Sequence, residues 1–170
     1  MLNFHPDATQ LVGLTAFAGA ALACARATAA ALSSPKWLWR GLAGAHVAMG
    51  TDVLLGLRYR VHDFADALLQ MQGLYASRGE GQLGLLIAAA CLAAGAVVAM
   101  TRSRGLDARA IGAALATAVG VWLFVVETIS LHGLDAVMYA PAGPIRVIGW
   151  CWAAVCVGVM VPAWRAVPRR

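Results

Sequence analysis

Nine ionisable residues crowd the edges of long apolar runs: Asp52, Arg58, Arg60, His62, Asp63, Asp66, Glu127, His132 and Asp135. Carboxylates and imidazoles gathered in this way suit three kinds of chemistry. They can hold a cation, relay a proton, or line a pocket for a quinone head group. Histidine fits the last two because its ring titrates near working pH. His132 and Asp135 are three residues apart, neighbours on a helix face, where they can hydrogen-bond or share a metal ion. An HxxD pair without further ligands is a weak metal signal, so no metal centre is assigned beyond it. If one helix continues through Arg58, then Asp52, Tyr59 and Asp63 share a face, because their spacings are close to whole turns.

Each candidate also has a plainer reading. His62, Asp63 and Asp66 fit the wet face of an amphipathic helix. Asp52 and Glu127 resist that reading, since each lies about a turn inside an apolar run. A lone charge costs about 2.5–3.5 kcal/mol at the centre of a bilayer and less near its surface. Both must therefore be paired or protonated, and Arg58 or Arg60 is the available partner. A structural ion pair closing a helix bundle and a functional site are both compatible with that pairing. His46 lies in the middle of its run with no second His at its depth, which argues against a bis-His haem. A hydrogen bond to a backbone carbonyl or a Thr is expected instead. No cofactor is predicted. No nucleophile elbow, zincin, phosphate-binding loop or haem-attachment motif is present.

The elements that must position these residues follow from hydropathy. The chain is 61% hydrophobic and 12% charged, against about 45–50% and about 25% for a soluble domain. Spans of roughly 20 apolar residues fall at about 9–32, 37–57, 82–100, 107–131 and 145–164. An apolar stripe at helical spacing (Val61, Phe64, Ala65, Leu68, Met71, Tyr75) predicts an amphipathic helix over 60–76. Thr9 is the expected cap of the first span. Trp37, Trp39, Trp150, Trp152 and Trp164 fit an aromatic belt. Gly19 with Ala23, and Gly112 with Ala116 and Gly120, offer seams for close helix packing. Cys24, Cys91, Cys151 and Cys156 all lie in apolar runs, without a CxxC, and read as small hydrophobes. The fold class is thus all-α: a polytopic integral membrane bundle of five transmembrane helices plus one outer-face amphipathic helix. It forms one domain over 1–170. Four spans is the alternative, if the first segment or the Asp52 helix is re-entrant.

Net charge is +5, but the basic residues sit in short loops and at the C-terminus, so nucleic-acid binding is rejected. With five spans, one side holds Arg58, Arg60, Arg78 and Arg146. The other holds Lys36, Arg40, Arg102, Arg104, Arg109, Arg165, Arg169 and Arg170, with Arg26 near it. The excess of positive charge puts the second side in the cytoplasm and the N-terminus outside, in an inner (plasma) membrane. The N-terminus lacks the basic region of a secretory signal.

For function the sequence supports three expectations. The first is a non-enzymatic accessory or scaffold subunit of a larger membrane complex. The second is a transport or ion/proton-permeation protein that uses the outer acid/His cluster. The third is a quinone- or metal-handling redox protein. Expected partners are the lipid bilayer and other membrane subunits or further copies of the chain.

Overall fold

Apolar runs of this length fold as helices because a helix satisfies its backbone polar groups within its own segment. The computed structural model describes residues 7–30, 35–102, 105–129 and 132–167. Helix α1 spans Ala8–Ala30, α2 Lys36–Leu55, α3 Leu57–Met71, α4 Arg78–Arg102, α5 Ala108–Ile129, α6 His132–Met138 and α7 Val147–Arg165. A 3₁₀ turn covers Tyr75–Ser77, and a two-residue hairpin pairs β1 (Pro141–Ala142) with β2 (Ile145–Arg146). Among the described residues, four helices, α1, α4, α5 and α7, are long and apolar enough to cross a membrane. Helix α2 has the length, at 20 residues, but Arg40, His46 and Asp52 dilute its hydropathy.

Several boundaries differ from those the sequence suggests. The segment 37–57 does not run on as one helix. Gly56 takes a left-handed conformation (φ 62°), ends α2 and turns the chain into α3. The amphipathic helix accordingly starts at Leu57 and stops at Met71, and α4 begins at Arg78 rather than Gln82. The cap of α1 is Asp7, not Thr9. Asp7 Oδ1 accepts from the Gln10 N–H (2.8 Å), and Gln10 Oε1 accepts from the Asp7 N–H (3.0 Å), a reciprocal box that satisfies two orphan donors. Thr9 instead accepts a bond from the Arg146 N–H across the bundle end (3.2 Å). The sequence expects a helix break at Ser33–Ser34–Pro35; Ser33 and Ser34, the side chain of His132, and Arg104, Arg169 and Arg170 lie outside the described residues.

Helices α1, α2, α5 and α7 close a ring in which each packs on two neighbours, while α4 lies outside it against α5. Small residues set the approach distances. A Cβ on Gly13 would sit 2.6 Å from Trp152 Cε3, and one on Gly149 would sit 2.9 Å from Thr9 Cγ2. Of the α5 seam, Gly120 and Ala116 meet α7, whereas Gly112 faces open space. Of the five belt tryptophans, Trp37, Trp150 and Trp164 are exposed, but Trp39 and Trp152 are core residues. At the end of the bundle away from the polar cluster, Arg26 stacks on Trp164 (4.3 Å to the ring centroid) and Arg109 Nη1 donates to the Arg165 carbonyl (2.6 Å). The second contact satisfies an orphan carbonyl at the C-terminus of α7.

Candidate functional site

The α2–α3 elbow and the C-terminal end of α5 build the site. Because Gly56 breaks the helix, Asp52 in the last turn of α2 faces back toward the start of α3. Its Oδ1 accepts from the Arg58 backbone N–H (2.8 Å), and its Oδ2 accepts directly from Arg58 Nη1. Arg58 is thereby folded inward and is only 6% exposed. Its Nη2 then lies 3.4 Å from Glu127 Oε1, a residue 3% exposed in the last turns of α5. One guanidinium thus serves two carboxyls from two different helices.

Aromatic rings form the floor. The Arg58 guanidinium carbon lies 5.0 Å from the centroid of Phe124 and 5.4 Å from that of Trp152, and those two rings stack at 5.9 Å. Phe17 of α1 packs edge-on against Phe124 (5.6 Å) and tilts against Trp152 and His46. A desolvated cation over such faces gains about 2 kcal/mol or more. Burial by itself would lower the Arg58 pKa. The Glu127 charge and the hydrogen bond to Asp52 outweigh it, and the net shift is upward. Arg58 is therefore a permanent cation.

Two tyrosines complete the network. Tyr139 OH donates to Glu127 Oε1 (2.8 Å) and meets Tyr59 OH at 2.9 Å, while Arg58 Nη2 donates to Tyr59 OH (3.3 Å). Tyr59 enters the sequence reading only through a face shared with Asp52 and Asp63, which the break at Gly56 removes, and Tyr139 does not enter it. The signal available is weak: a Tyr next to the buried Arg, and a Tyr one residue beyond a short helix. Burial, the hydrogen bond with Tyr59 and the Glu127 charge all push the Tyr139 phenol upward. The folded state therefore holds this proton more tightly than the unfolded chain, whose phenol ionises near about 10. That stabilisation is complete below this pH and is lost as pH rises above it. An alkaline titration of unfolding is expected to fall more steeply for the wild type than for Tyr139→Phe.

The other expected residues separate from this centre. Asp63 is exposed, unlike Asp52, because the break at Gly56 removes their common face. Arg60 is exposed and is not the partner of Asp52 or Glu127 in any described contact. His62 Nδ1 bonds the Thr128 carbonyl (3.1 Å), and Gln82 Nε2 donates to the Ile129 carbonyl (2.9 Å). Both contacts cap orphan carbonyls at the end of α5. Asp66 lies between His62 (3.6 Å) and Arg78 (3.2 Å) on the surface. His46 Nδ1 bonds the Leu42 carbonyl (2.9 Å) in its own helix, below Phe17. Asp135 lies in the first turn of α6, one turn before Tyr139, whose N–H bonds the Asp135 carbonyl (2.9 Å). Among the described residues, no three His, Cys, Asp or Glu side chains converge as a metal site.

The chain matches no protein-family model, no curated protein and no solved structure.

Proposed function

We propose that this chain is a five-span membrane protein that serves as a non-enzymatic accessory or scaffold subunit of a larger membrane assembly. The observation that carries the reading is α4. This 25-residue apolar helix buries only Leu86 among its residues. Between α4, α5 and α2 runs an apolar groove of about 480 Å³, lined by small residues such as Ala89, Ala93, Ala114 and Ala118. Small residues let a neighbouring backbone approach closely in lipid, where van der Waals packing drives helix association. A helix from another subunit, or from a second copy of this chain, fits there.

Five spans are supported by the course of α2. Its first turns line the groove with Met100 and Ala114, and Asp52 in its last turn meets the elbow that reaches Glu127 at the far end of α5. Helix α2 thus runs the length of α5, and its 20 residues amount to about 30 Å, the hydrocarbon thickness. The charge distribution supports an inner-membrane location with the N-terminus outside.

The test is native mass spectrometry after purification in mild detergent. The wild type is expected to carry a stoichiometric partner subunit or a second copy. Ala93→Leu with Ala118→Leu fills the groove and is expected to release that partner while insertion is retained. A wild-type protein that runs as a lone monomer sinks the reading.

A further inference from the structure

We propose that Glu127 is a proton-binding site with access from one side only, exchanging its proton with the polar end of the bundle through Tyr139 and Tyr59. Three observations on the page carry it. First, the charge count is uneven. Arg58 is one cation between two carboxyls, Glu127 buried and Asp52 partly exposed, and it binds them unequally. Asp52 takes two direct hydrogen bonds, one from the backbone and one from the guanidinium. Glu127 has only a longer contact to Nη2, at 3.4 Å. An excess negative charge therefore rests on Glu127, over a floor of aromatic rings, and a proton there removes it.

Second, Glu127 Oε2 is buried and, like the Trp152 indole N–H that faces the carboxyl, makes no hydrogen bond among the described residues. It is the place where a proton can sit without displacing the Tyr139 bond to Oε1. Third, the hydroxyls form an ordered line. Arg58 Nη2 donates to Tyr59, which leaves the Tyr59 hydroxyl to donate to Tyr139, and Tyr139 donates to Glu127. Tyr59 is 43% exposed, so the line ends at the surface. A proton entering at Tyr59 is passed on as each hydroxyl gives up its own proton and takes the incoming one; Tyr139 delivers its proton to Oε1, and the carboxyl then turns over, so that the protonated oxygen takes the unpartnered place and the bare oxygen accepts from Tyr139. Both phenols are neutral again at the end, and Glu127 is a carboxylic acid.

The groups that face Glu127 are Asp52 on α2, Arg58 and Tyr59 on α3, Tyr139 beyond α6, and the indole N–H of Trp152 on α7. His62, the next titratable group on α3, is engaged with the Thr128 carbonyl. Below the site, Phe17, Phe124 and Trp152 close the bundle and separate it from His46. Access is therefore from the Tyr59 end. The site is independent of the groove on the other flank of α5, and it stands or falls without it.

The experiment is infrared difference spectroscopy of the full chain in phosphatidylcholine bilayers, between acidic and near-neutral buffer, in water and in heavy water. A carboxylic C=O band is expected on acidification and is expected to vanish in Glu127→Gln. Should that variant fail to insert, Glu127→Asp is expected to shift the same band. Tyr139→Phe is expected to raise the band frequency, by removing a hydrogen bond, and to slow its exchange about 100-fold, the scale of a positioned proton-transfer group. Tyr59→Phe slows exchange without moving the band, and Tyr75→Phe changes neither. The proposal is overturned if no pH-sensitive carboxyl band belongs to position 127. It is equally overturned if exchange is unaltered in both Tyr139→Phe and Tyr59→Phe.

Discussion

Arg58→Met is expected to lower the unfolding free energy by about 3–5 kcal/mol, the cost of leaving buried charges without their partner. The variant keeps the volume and the contact with the aromatic floor, so the loss reports charge rather than packing. Asp52 would lose its guanidinium partner, and Glu127 would lose its only cationic one in the described contacts. Arg58→Lys is expected to recover only part of the loss. An ammonium is a point charge and cannot serve two carboxylates while lying flat over Phe124. The sharper expectation is a rescue. Adding Asp52→Asn and Glu127→Gln to Arg58→Met removes the stranded charges and is expected to restore most of the stability, because replacing a whole buried ion cluster is often near neutral. Detergent-titrated unfolding in mixed micelles measures all the variants. If the three losses simply add, the charges are not coupled and the reading of the elbow is wrong.

The second large effect is expected at Trp152. Its indole is 2% exposed, stacks on Phe124, touches Phe17 and underlies Arg58. Truncating such a residue costs about 3–5 kcal/mol in soluble proteins. In lipid the hydrophobic part of that cost is small, since acyl tails are as apolar as Leu. What remains is lost dispersion contact and an open cavity, so Trp152→Ala is expected near about 3 kcal/mol. Gly13 supplies a diagnostic partner. In the wild type a Cβ there lands 2.6 Å from the indole, so Gly13→Leu is expected to destabilise. In the Trp152→Ala background the same leucine enters vacated space and is expected to stabilise. A change of sign establishes the contact, and a loss in both backgrounds refutes it.

The helices were legible because a run of roughly 20 apolar residues with flanking Lys or Arg is a strong signal. Their pairing was not, since a ring of four with α4 outside depends on side-chain shapes that hydropathy does not encode. Asp52, Glu127 and Arg58 stood out because charge in an apolar run demands a partner. That demand does not show that one arginine would answer both acids, from residues six and 69 positions away. Gly56 hid among other glycines, and only its left-handed backbone separates α2 from α3. Tyr139 joins Tyr59 across 80 residues, a distance over which no local spacing can speak. Trp39 and Trp152 were mistaken for belt residues because a tryptophan near a span end has the same sequence signature whether it faces lipid or core.

The elbow also bears on how the chain assembles during synthesis. Closing the Asp52–Arg58 contact joins residues six apart, a loop with little entropy to lose, whereas the Arg58–Glu127 contact must wait for α5. The neutralised half of the clasp can therefore form while α4 is still being made. It would deliver Arg58 to the membrane edge already accompanied by a carboxylate, with its second hand open. The entry of α5 then becomes the step that is checked: an α5 inserted in the wrong register or orientation offers no Glu127 to that waiting guanidinium.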